Sequence, residues 1–301
     1  MSTAEKPLII VGPTASGKST LALESARKLG NAEIISVDAM QVYSNMNIGT
    51  DTPTEIEQAE IPHHMINLVE PSQEFTVAQF QAKALAALND IRKRSRIPVL
   101  AGGSGLHMRA IVDGLNIPSR YPQVREQLET EPDTSTLYKR LLEVDPLAAS
   151  RIDSSNRRRM IRALEVSLGS GKAFSSYGPG LNSYPSTSFV IVGLRWPLPA
   201  LDERIAVRLE KQIADGFLEE VRMLQDQKMS RTASRAIGYR SLSAHLRGEI
   251  SLNEALNSIL IRSRQFARRQ IRWFKRDPRI IWLDAPVSVG ELLDTWKANQ
   301  S

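Results

Sequence analysis

The 301-residue sequence predicts an α/β fold built on a parallel sheet, and three observations lead to that prediction. Short apolar runs, each as long as a buried strand, alternate with longer segments of helical spacing. The first apolar run ends in a glycine-rich motif of the kind that binds phosphate. A proline-rich, polar region then separates this alternating half from further helices and strands. The sequence therefore predicts a parallel-sheet core with a helical insertion domain.

The first half of the chain supplies three strands and two helices in alternation. Apolar runs predict strands at residues 7–11, 33–37 and 98–101. Helical spacing predicts helices at residues 19–29 and 76–94. Strand, helix, strand, helix, strand is the order typical of a parallel sheet with helices on both faces.

The pattern changes after about residue 114. Residues 116–133 are proline-rich and polar, residues 134–168 have helical spacing, and residues 169–188 have the composition of a loop. Apolar runs then predict strands at residues 189–194 and 279–283, and helical spacing covers residues 201–227 and 252–275. We therefore predict a core of residues 1–118 and 188–301, and a mainly helical insertion domain of residues 119–187.

Composition excludes several classes of function. The chain contains no cysteine, which excludes disulfides, thiolate nucleophiles and cysteine zinc sites and suits a reducing cytoplasm. No apolar stretch has the roughly 20 residues that span a bilayer, and the first residues do not resemble a signal peptide.

The net charge is +6. Basic residues cluster at Arg151, Arg157, Arg158, Arg159 and Arg162, and again at Arg262, Arg264, Arg268, Arg269, Arg272, Lys275 and Arg276. Such clusters are typical of proteins that bind a phosphate backbone.

The glycine-rich motif has the pattern G-x-x-x-x-G-K-[ST] between a predicted strand and a predicted helix. Its residues are Gly12, Pro13, Thr14, Ala15, Ser16, Gly17, Lys18 and Ser19. In such a P-loop, backbone N–H groups and the helix N-terminus face a polyphosphate. Lys18 would contact the terminal phosphate oxygens, and the Ser19 hydroxyl would bind Mg²⁺. The alternative is a chance glycine turn, which the flanking elements disfavour. The motif thus predicts a P-loop NTPase-like core.

The strand endings argue against nucleotide hydrolysis. A motor or switch NTPase normally has a second apolar strand that ends in a magnesium-binding aspartate. Here the strand at residues 98–101 ends in Gly102, Gly103 and Ser104, and only the strand at residues 33–37 delivers a carboxylate, Asp38. Ligands of open α/β sheets bind at the carboxyl ends of the strands, so Asp38 should face the P-loop crevice. It could bind Mg²⁺ through water or accept a proton, or it could merely cap a turn.

The chain carries an ordered set of further motifs. They are, after the P-loop, Asp38-Ala39-Met40-Gln41-Val42-Tyr43, Met46-Asn47-Ile48-Gly49-Thr50, Pro62-His63-His64, Gly102-Gly103-Ser104-Gly105-Leu106, Asn156-Arg157-Arg158-Arg159, Arg162-Ala163-Leu164-Glu165-Val166, Arg235-Ala236-Ile237-Gly238-Tyr239-Arg240 and Arg268-Arg269-Gln270 with Trp273-Phe274. From about residue 7 to residue 284, this ordered set resembles the tRNA dimethylallyltransferase family. The resemblance implies transfer of a dimethylallyl group from dimethylallyl diphosphate to the N6 amine of the adenosine 3′ of a tRNA anticodon. It also implies Mg²⁺ as cofactor, the tRNA anticodon arm as partner of the insertion, and a cytoplasmic monomer that does not bind membranes.

The resemblance also implies roles for individual residues. The catalytic residues would be Asp38, Lys18, Ser104 and Arg235, with Asp38 accepting the proton of the amine. The P-loop would bind the donor diphosphate. The residues that bind tRNA would be Asp38, Ala39, Met40, Gln41, Ser104, Arg125, Arg158, Arg159, Met160, Ile161, Arg162, Arg235, Ala236, Ile237, Gly238, Tyr239 and Arg240.

A few positions depart from the family pattern, and two other functions stay open. Ser104 stands where the family usually has threonine, Ser241 where it has glutamine, and His107 where it often has tyrosine. The adjacent His63 and His64 could be metal ligands, but no further ligand completes a site, so we expect them to make structural hydrogen bonds. The main alternative function is a P-loop small-molecule or nucleoside kinase that uses ATP. A third is a non-catalytic RNA-binding ATPase.

Overall fold

Six parallel strands form a single sheet in a computed structural model that describes residues 5–300. The strands are β1 (Leu8–Val11), β2 (Ala32–Ser36), β3 (His63–His64), β4 (Ile97–Gly102), β5 (Val190–Arg195) and β6 (Ile280–Asp284). Their order across the sheet is β3-β2-β4-β1-β5-β6. Because β1 lies between β4 and β5, the loop that follows β1 opens at the middle of the carboxyl edge.

Fourteen α-helices accompany the sheet within the described residues. They are α1 (Lys18–Leu29), α2 (Asn47–Thr50), α3 (Glu55–Glu60), α4 (Val77–Lys93), α5 (Gly105–Val112), α6 (Pro122–Glu129), α7 (Thr134–Val144), α8 (Pro146–Arg151), α9 (Arg157–Ser170), α10 (Leu198–Ala214), α11 (Phe217–Met223), α12 (Tyr239–Leu246), α13 (Leu252–Phe274) and α14 (Val289–Ala298). None of these helices has the length and apolar character that crossing a membrane would require.

Strand β1 is apolar throughout and its neighbours β4 and β5 are nearly so, as suits a sheet whose two faces are both covered by helices. Along β1, Leu8 and Ile10 pack in one core cluster together with residues of α1 and α14. Ile9 and Val11 point to the opposite face and pack in a larger cluster with residues of α4, α12 and α13. The alternation of one strand between two cores fixes its register, which in turn fixes where the P-loop begins.

The chain divides into two compact units. The described residues up to Asp113 and from Ser186 onward form the first unit, and Gly114–Pro185 forms the second. The second unit consists of α6 to α9 and a short 3₁₀ helix, and it has its own apolar core. Sequence patterning had suggested an insertion at residues 119–187 with one long helical stretch. Three helices occupy that stretch, because Asp145 ends α7 and caps α8 by accepting a hydrogen bond from Ala148 N at 3.0 Å.

The predicted strands are confirmed as β1, β2, β4, β5 and β6. The helical spacing at residues 201–227 is confirmed as two helices, α10 and α11, which Gly216 separates with a φ of 99°. The short strand β3 and the helices α2, α3, α5, α6, α12 and α14 had no predicted counterpart. Pro122 accounts for α6, because proline suits the first position of a helix although it disfavours the interior.

Candidate active site

The P-loop lies between β1 and α1, as the motif predicts. Two side chains hold its outer surface: Trp196 Nε1 donates to Ser16 O at 3.0 Å, and Arg204 Nε donates to Ala15 O at 2.8 Å. Because the C=O and N–H of a trans peptide point in opposite directions, the N–H of Gly17 faces the other, concave side. Gly17 has a φ of 85°, which allows the chain to turn into α1. This arrangement presents backbone donors and a helix N-terminus to an anion.

Two cations stand at the P-loop. Lys18 Nζ donates to Pro13 O at 3.2 Å, and Arg208 Nη1 donates to Thr14 Oγ1 at 2.9 Å. Burial, and then the charge of Arg208, lower the pKa of Lys18 to about 8, although Asp38 and Asp51 act in the opposite direction. Two positive charges this close together repel each other unless an anion lies between them, so the site favours a polyphosphate.

Asp38 follows β2 at the same edge of the sheet and is half-buried. Its Oδ1 accepts a hydrogen bond from Met40 N at 2.8 Å, and the Ser104 hydroxyl accepts one from Ala39 N at 3.0 Å. The two strand ends approach closely because Gly102 has no side chain: a Cβ there would lie 2.0 Å from Val37 O. The predicted catalytic residues Asp38, Lys18 and Ser104 therefore all lie at the carboxyl edge, where ligands of such sheets bind.

His107 and Gln41 border this site but have structural surroundings. Burial lowers the pKa of His107 to about 4, and its ring packs edge-on against Phe80 at 4.5 Å between centroids, so the imidazole is neutral near pH 7. Gln41 is buried, accepts from Ser36 Oγ at 2.6 Å and donates to Asp51 O at 2.8 Å. The side chain of Gln41 thus supports the loop, whereas the half-buried Ala39 and Met40 lie closer to its surface.

The segment of residues 235–240 combines exposed cations with a buried anchor. Arg235 and Arg240 are exposed, while Tyr239 is buried and donates to Glu220 Oε1 at 2.6 Å. The same carboxylate accepts hydrogen bonds from Ile48 N at 2.7 Å and Gly49 N at 3.0 Å. Burial, followed by the charge of Glu220, raises the pKa of Tyr239, so its hydroxyl remains a donor. The two motifs around Gly49 and around Tyr239 are therefore one hydrogen-bonded structure.

Comparison with known proteins identifies the family. The model of the IPP transferase family matches residues 41–277. A tRNA dimethylallyltransferase of Salinispora tropica is 42% identical over 281 residues, which cover 92% of this chain and 87% of that protein. The chain belongs to the IPP transferase family. A tRNA dimethylallyltransferase of Carboxydothermus hydrogenoformans is likewise 42% identical, over 94% of this chain and 93% of its own length.

Solved structures give the same result for the fold. The tRNA delta(2)-isopentenylpyrophosphate transferase of Staphylococcus epidermidis has a TM-score of 0.69 at 33% identity, with 97% of this chain and 98% of that chain covered. A eukaryotic dimethylallyltransferase acting on tRNA has a TM-score of 0.77 at 25% identity, over 98% of this chain and 76% of its own. The resemblance and the P-loop-like α/β fold are confirmed, and the chain is an enzyme of the prenyltransferase class. These relatives lend no support to the kinase alternative.

In this IPP transferase, the predicted RNA-binding arginines of the insertion fall into two groups. Arg158 and Arg159 are exposed, and neither forms an ion pair within residues 5–300. Arg125 and Arg162 instead contact the buried carboxylate of Glu165, at 3.3 Å and 2.8 Å. The neighbouring Met160 and Ile161 are core residues of the insertion, so their side chains support α9 and do not reach its surface.

The donor set for a metal in this IPP transferase is made of oxygen atoms. No group of three or more His, Asp or Glu residues that could hold a metal lies in the described part of the chain. Ser19 is exposed at the start of α1, and the carboxylates of Asp38 and Asp51 act electrostatically on Lys18 beside it. Such a set fits Mg²⁺, which commonly binds through one or two protein oxygens, water and substrate phosphates.

The two histidines that follow α3 have the structural role that the sequence suggested. His63 Nδ1 lies 2.7 Å from Ile61 O, and His64 Nε2 lies 2.8 Å from Glu33 Oε2. These contacts belong to β3 and the amino end of β2. The P-loop and Asp38 instead follow the carboxyl ends of β1 and β2.

Four residues of the site were missed by the sequence reasoning: Arg208, Asp51, Arg204 and Gln270. Arg204 and Arg208 are one helical turn apart on α10, a spacing that could have drawn attention to them. Asp51 directly follows a family-like motif, and its Oδ2 lies 3.5 Å from Arg208 Nη1. Gln270 lies in a motif that the sequence had marked, but nothing local indicates its contact with Thr14, 256 residues away.

Proposed function

We propose that this chain transfers a dimethylallyl group from dimethylallyl diphosphate to the N6 amine of the adenosine 3′ of the anticodon in tRNA, giving N6-(dimethylallyl)adenosine. One observation carries the proposal: an anion site with two cations and a half-buried carboxylate occupy the same edge of the sheet. The names of the 42% identical relatives support the same reaction.

The anion site suits the leaving group. In the transfer, the bond between the allylic carbon and the diphosphate oxygen breaks, and the oxygen keeps the electron pair. The P-loop N–H groups, Lys18 and Arg208 would neutralise the charge that develops on that oxygen. Ser19 would supply an oxygen ligand to Mg²⁺, which, when bound, polarises the diphosphate as a Lewis acid. We infer that Mg²⁺ is the cofactor, because Ser19 offers an oxygen ligand beside the anion site and Mg²⁺ commonly completes its coordination with water and substrate phosphates.

The carboxylate suits the nucleophile. The N6 amine of adenine is a poor nucleophile because its lone pair is delocalised into the ring. Asp38 would accept the proton that N6 loses as the new carbon–nitrogen bond forms. The Ser104 hydroxyl, which already binds Ala39 N, would keep the loop and its carboxylate in place for this transfer. Burial lowers the pKa of His107 to about 4, which makes its imidazole a weak base for this proton.

Exposed cations in both units suit an RNA substrate. Arg158 and Arg159 would contact the backbone of the anticodon arm, and Arg235 and Arg240 would contact RNA near the reaction. An adenine inside a stack cannot reach a carboxylate at the sheet edge, so the target base would leave its stack. An unpaired loop permits this at a small cost in free energy. We expect a cytoplasmic enzyme, since that compartment holds both tRNA and a reducing environment.

The decisive experiment offers the purified protein a choice of donor. Unmodified tRNA and Mg²⁺ are incubated with dimethylallyl diphosphate or with ATP, and the digested nucleosides are analysed by mass spectrometry. We expect adenosine to gain the mass of one dimethylallyl group with dimethylallyl diphosphate alone. Phosphate release from ATP without any change in the tRNA would contradict the proposal.

A second experiment tests the RNA contact of the insertion. Replacing Arg158 and Arg159 with Ala should weaken tRNA binding and reduce the salt slope of log K by roughly 1 to 2, because each phosphate contact contributes about 0.7 to 0.9. The matched control is Arg92→Ala with Lys93→Ala, which removes the same charge from the exposed end of α4. Equal slopes for the two double variants would show that net charge alone, and not contact at α9, governs binding.

A further inference from the structure

One buried glutamine of α13 touches both halves of the proposed site. Gln270 is 5% exposed, and its Oε1 accepts a hydrogen bond from Thr14 N at 2.8 Å. Its Nε2 donates to Gly103 O at 2.9 Å. Thr14 belongs to the P-loop, and Gly103 precedes Ser104, so a single side-chain amide connects two loops that follow different strands. None of the steps of the proposed reaction uses this residue.

The contact at Thr14 orients the peptide on which Lys18 rests. The N–H of the Pro13–Thr14 peptide is donated to Gln270, so the C=O of the same planar peptide points the opposite way. That carbonyl accepts the hydrogen bond from Lys18 Nζ at 3.2 Å. Arg208 holds the side chain of the same threonine. Rotation of this peptide would therefore move the carbonyl that Lys18 contacts. It would also move the threonine side chain that Arg208 contacts.

The contact at Gly103 orients the turn that carries Ser104. A Cβ on Gly103 would lie 2.2 Å from Gln270 Nε2, so the glycine makes room for the amide. The next residue, Ser104, accepts the hydrogen bond from Ala39 N and so helps to hold the loop that carries Asp38. The bridge requires one donor and one acceptor at a fixed separation. Glutamine supplies both, glutamate lacks the donor, and asparagine is one methylene shorter.

We propose that Gln270 is a positioning residue that sets the distance between the diphosphate site and the Asp38 loop. By joining the Pro13–Thr14 peptide to the Gly103 carbonyl, it keeps the leaving-group site and the base at a fixed separation while substrates bind and products leave. This proposal rests on the proposed function, because it assigns the P-loop to the prenyl donor and the Asp38 loop to the adenosine that accepts the prenyl group. It also gives a role to the buried amide of the family-like motif on α13, whose neighbours are the half-buried Arg268 and the exposed Arg269.

The test compares Gln270→Met, which keeps the volume and removes both hydrogen bonds, with Gln265→Met on the exposed face of the same helix. For Gln270→Met we expect the KM for dimethylallyl diphosphate to rise and kcat to fall, with kcat/KM reduced about tenfold or more, as the loss of two hydrogen bonds implies. The Kd for tRNA should stay within twofold. Gln265→Met should match the wild type in all three quantities.

A double-mutant cycle separates positioning from a merely structural role. In Gly103→Ala the added Cβ displaces the Gln270 amide, so this variant should lose the same bridge as Gln270→Met. The loss of kcat/KM in the double variant should therefore be smaller than the two single losses combined. The affinity for inorganic pyrophosphate with Mg²⁺ provides a readout independent of transfer, and it should weaken in Gln270→Met. Unchanged kinetics and pyrophosphate affinity in a folded Gln270→Met protein would overturn the proposal. Absence of prenyl transfer by the wild type would instead overturn the proposed function.

Discussion

The two ends of strand β2 each carry a carboxylate, and the two carboxylates have opposite surroundings. Glu33, near the amino end, is 1% exposed and accepts from Nη1 and Nη2 of Arg94. Arg96 Nη1 lies 3.1 Å and His64 Nε2 lies 2.8 Å from its oxygens. The hydrogen bond from Arg94 contributes most to lowering the pKa of Glu33 to about 2. Every acceptor position of this carboxylate is thus occupied by the protein itself.

Asp38, beyond the carboxyl end, is half-buried, and Met40 N is its only hydrogen-bond donor among residues 5–300. The charge of Asp38 acts to raise the pKa of Lys18 and of His107, but neither side chain forms an ion pair with it. Occupied acceptor positions mark Glu33 as a structural carboxylate, and free acceptor capacity marks Asp38 as a candidate functional one. Glu33 has its partners, whereas Asp38 retains capacity for a partner that the protein does not supply.

The largest effect should follow from Asp38→Asn. The amide keeps an oxygen for Met40 N but cannot accept the proton of the amine, so we expect kcat to fall by roughly 10² to 10⁴. The free energy of unfolding should change by less than about 0.5 kcal/mol, because the site makes few contacts. Single-turnover transfer assays and urea unfolding measure the two quantities. A variant with wild-type kcat would remove Asp38 as the base.

The converse result is expected for Glu33→Gln. Loss of the charge weakens the hydrogen bonds from Arg94 and His64, and we expect the free energy of unfolding to fall by about 2 kcal/mol. The exposed guanidinium of Arg94 can return to water, which limits the loss. Urea unfolding measures the stability, and kcat of the folded variant should equal that of the wild type. A large loss of kcat at unchanged stability would reverse the roles of the two ends.

The sequence predicts one of these ends far better than the other. The P-loop and Asp38 could be located because glycine, lysine and a carboxylate occur at strand ends in a local pattern. Glu33 gave no such signal, since its partners Arg94 and Arg96 belong to the turn before β4 and become neighbours only through the pairing of β2 with β4. Likewise Arg208 and Gln270 reach the P-loop from α10 and α13. Strand order and helix packing, which local spacing does not encode, bring them there.

Missed elements have local causes as well. Helix α5 begins with Gly105, shortly after β4 ends at Gly102, and together with Gly103 these glycines hide the change from strand to helix. Gly105 is needed there because a Cβ would lie 2.1 Å from the ring of Trp273. The glycines that make the site compact are the same residues that interrupt the apolar pattern.

A third prediction uses pH to separate the two ends. Lys18 has a pKa lowered to about 8, so it loses its charge as the pH rises through 8, and bound diphosphate would favour the charged form. We expect kcat/KM for dimethylallyl diphosphate to fall by up to about tenfold per pH unit above 8. Glu33→Gln should show the same alkaline limb as the wild type, because Glu33 does not titrate there. A limb that disappears in Glu33→Gln would mean that the two ends are coupled.

The low-pH side gives the matching test of stability. The pKa of Glu33 is lowered in the folded protein, so its contribution to stability is complete above the unfolded value of about 4.5 and is lost as the pH falls toward 2. The difference in unfolding free energy between wild type and Glu33→Gln should therefore shrink over that interval. A difference that stays constant from pH 5 to pH 3 would mean that charge does not contribute.

The smallest effect is expected at Ser104, which tests how firmly the Asp38 loop must be held. Ser104→Ala removes the oxygen that accepts the hydrogen bond from Ala39 N, a loss worth about 1 kcal/mol and hence about fivefold in kcat/KM. Ser104→Thr keeps the hydroxyl and should stay within twofold of the wild type. If alanine and threonine were equally active, the hydroxyl would have no part in positioning Asp38. A loss in Ser104→Ala as large as that in Asp38→Asn would instead give the hydroxyl a direct role in the transfer, because a hydrogen bond between neutral groups cannot account for a hundredfold effect.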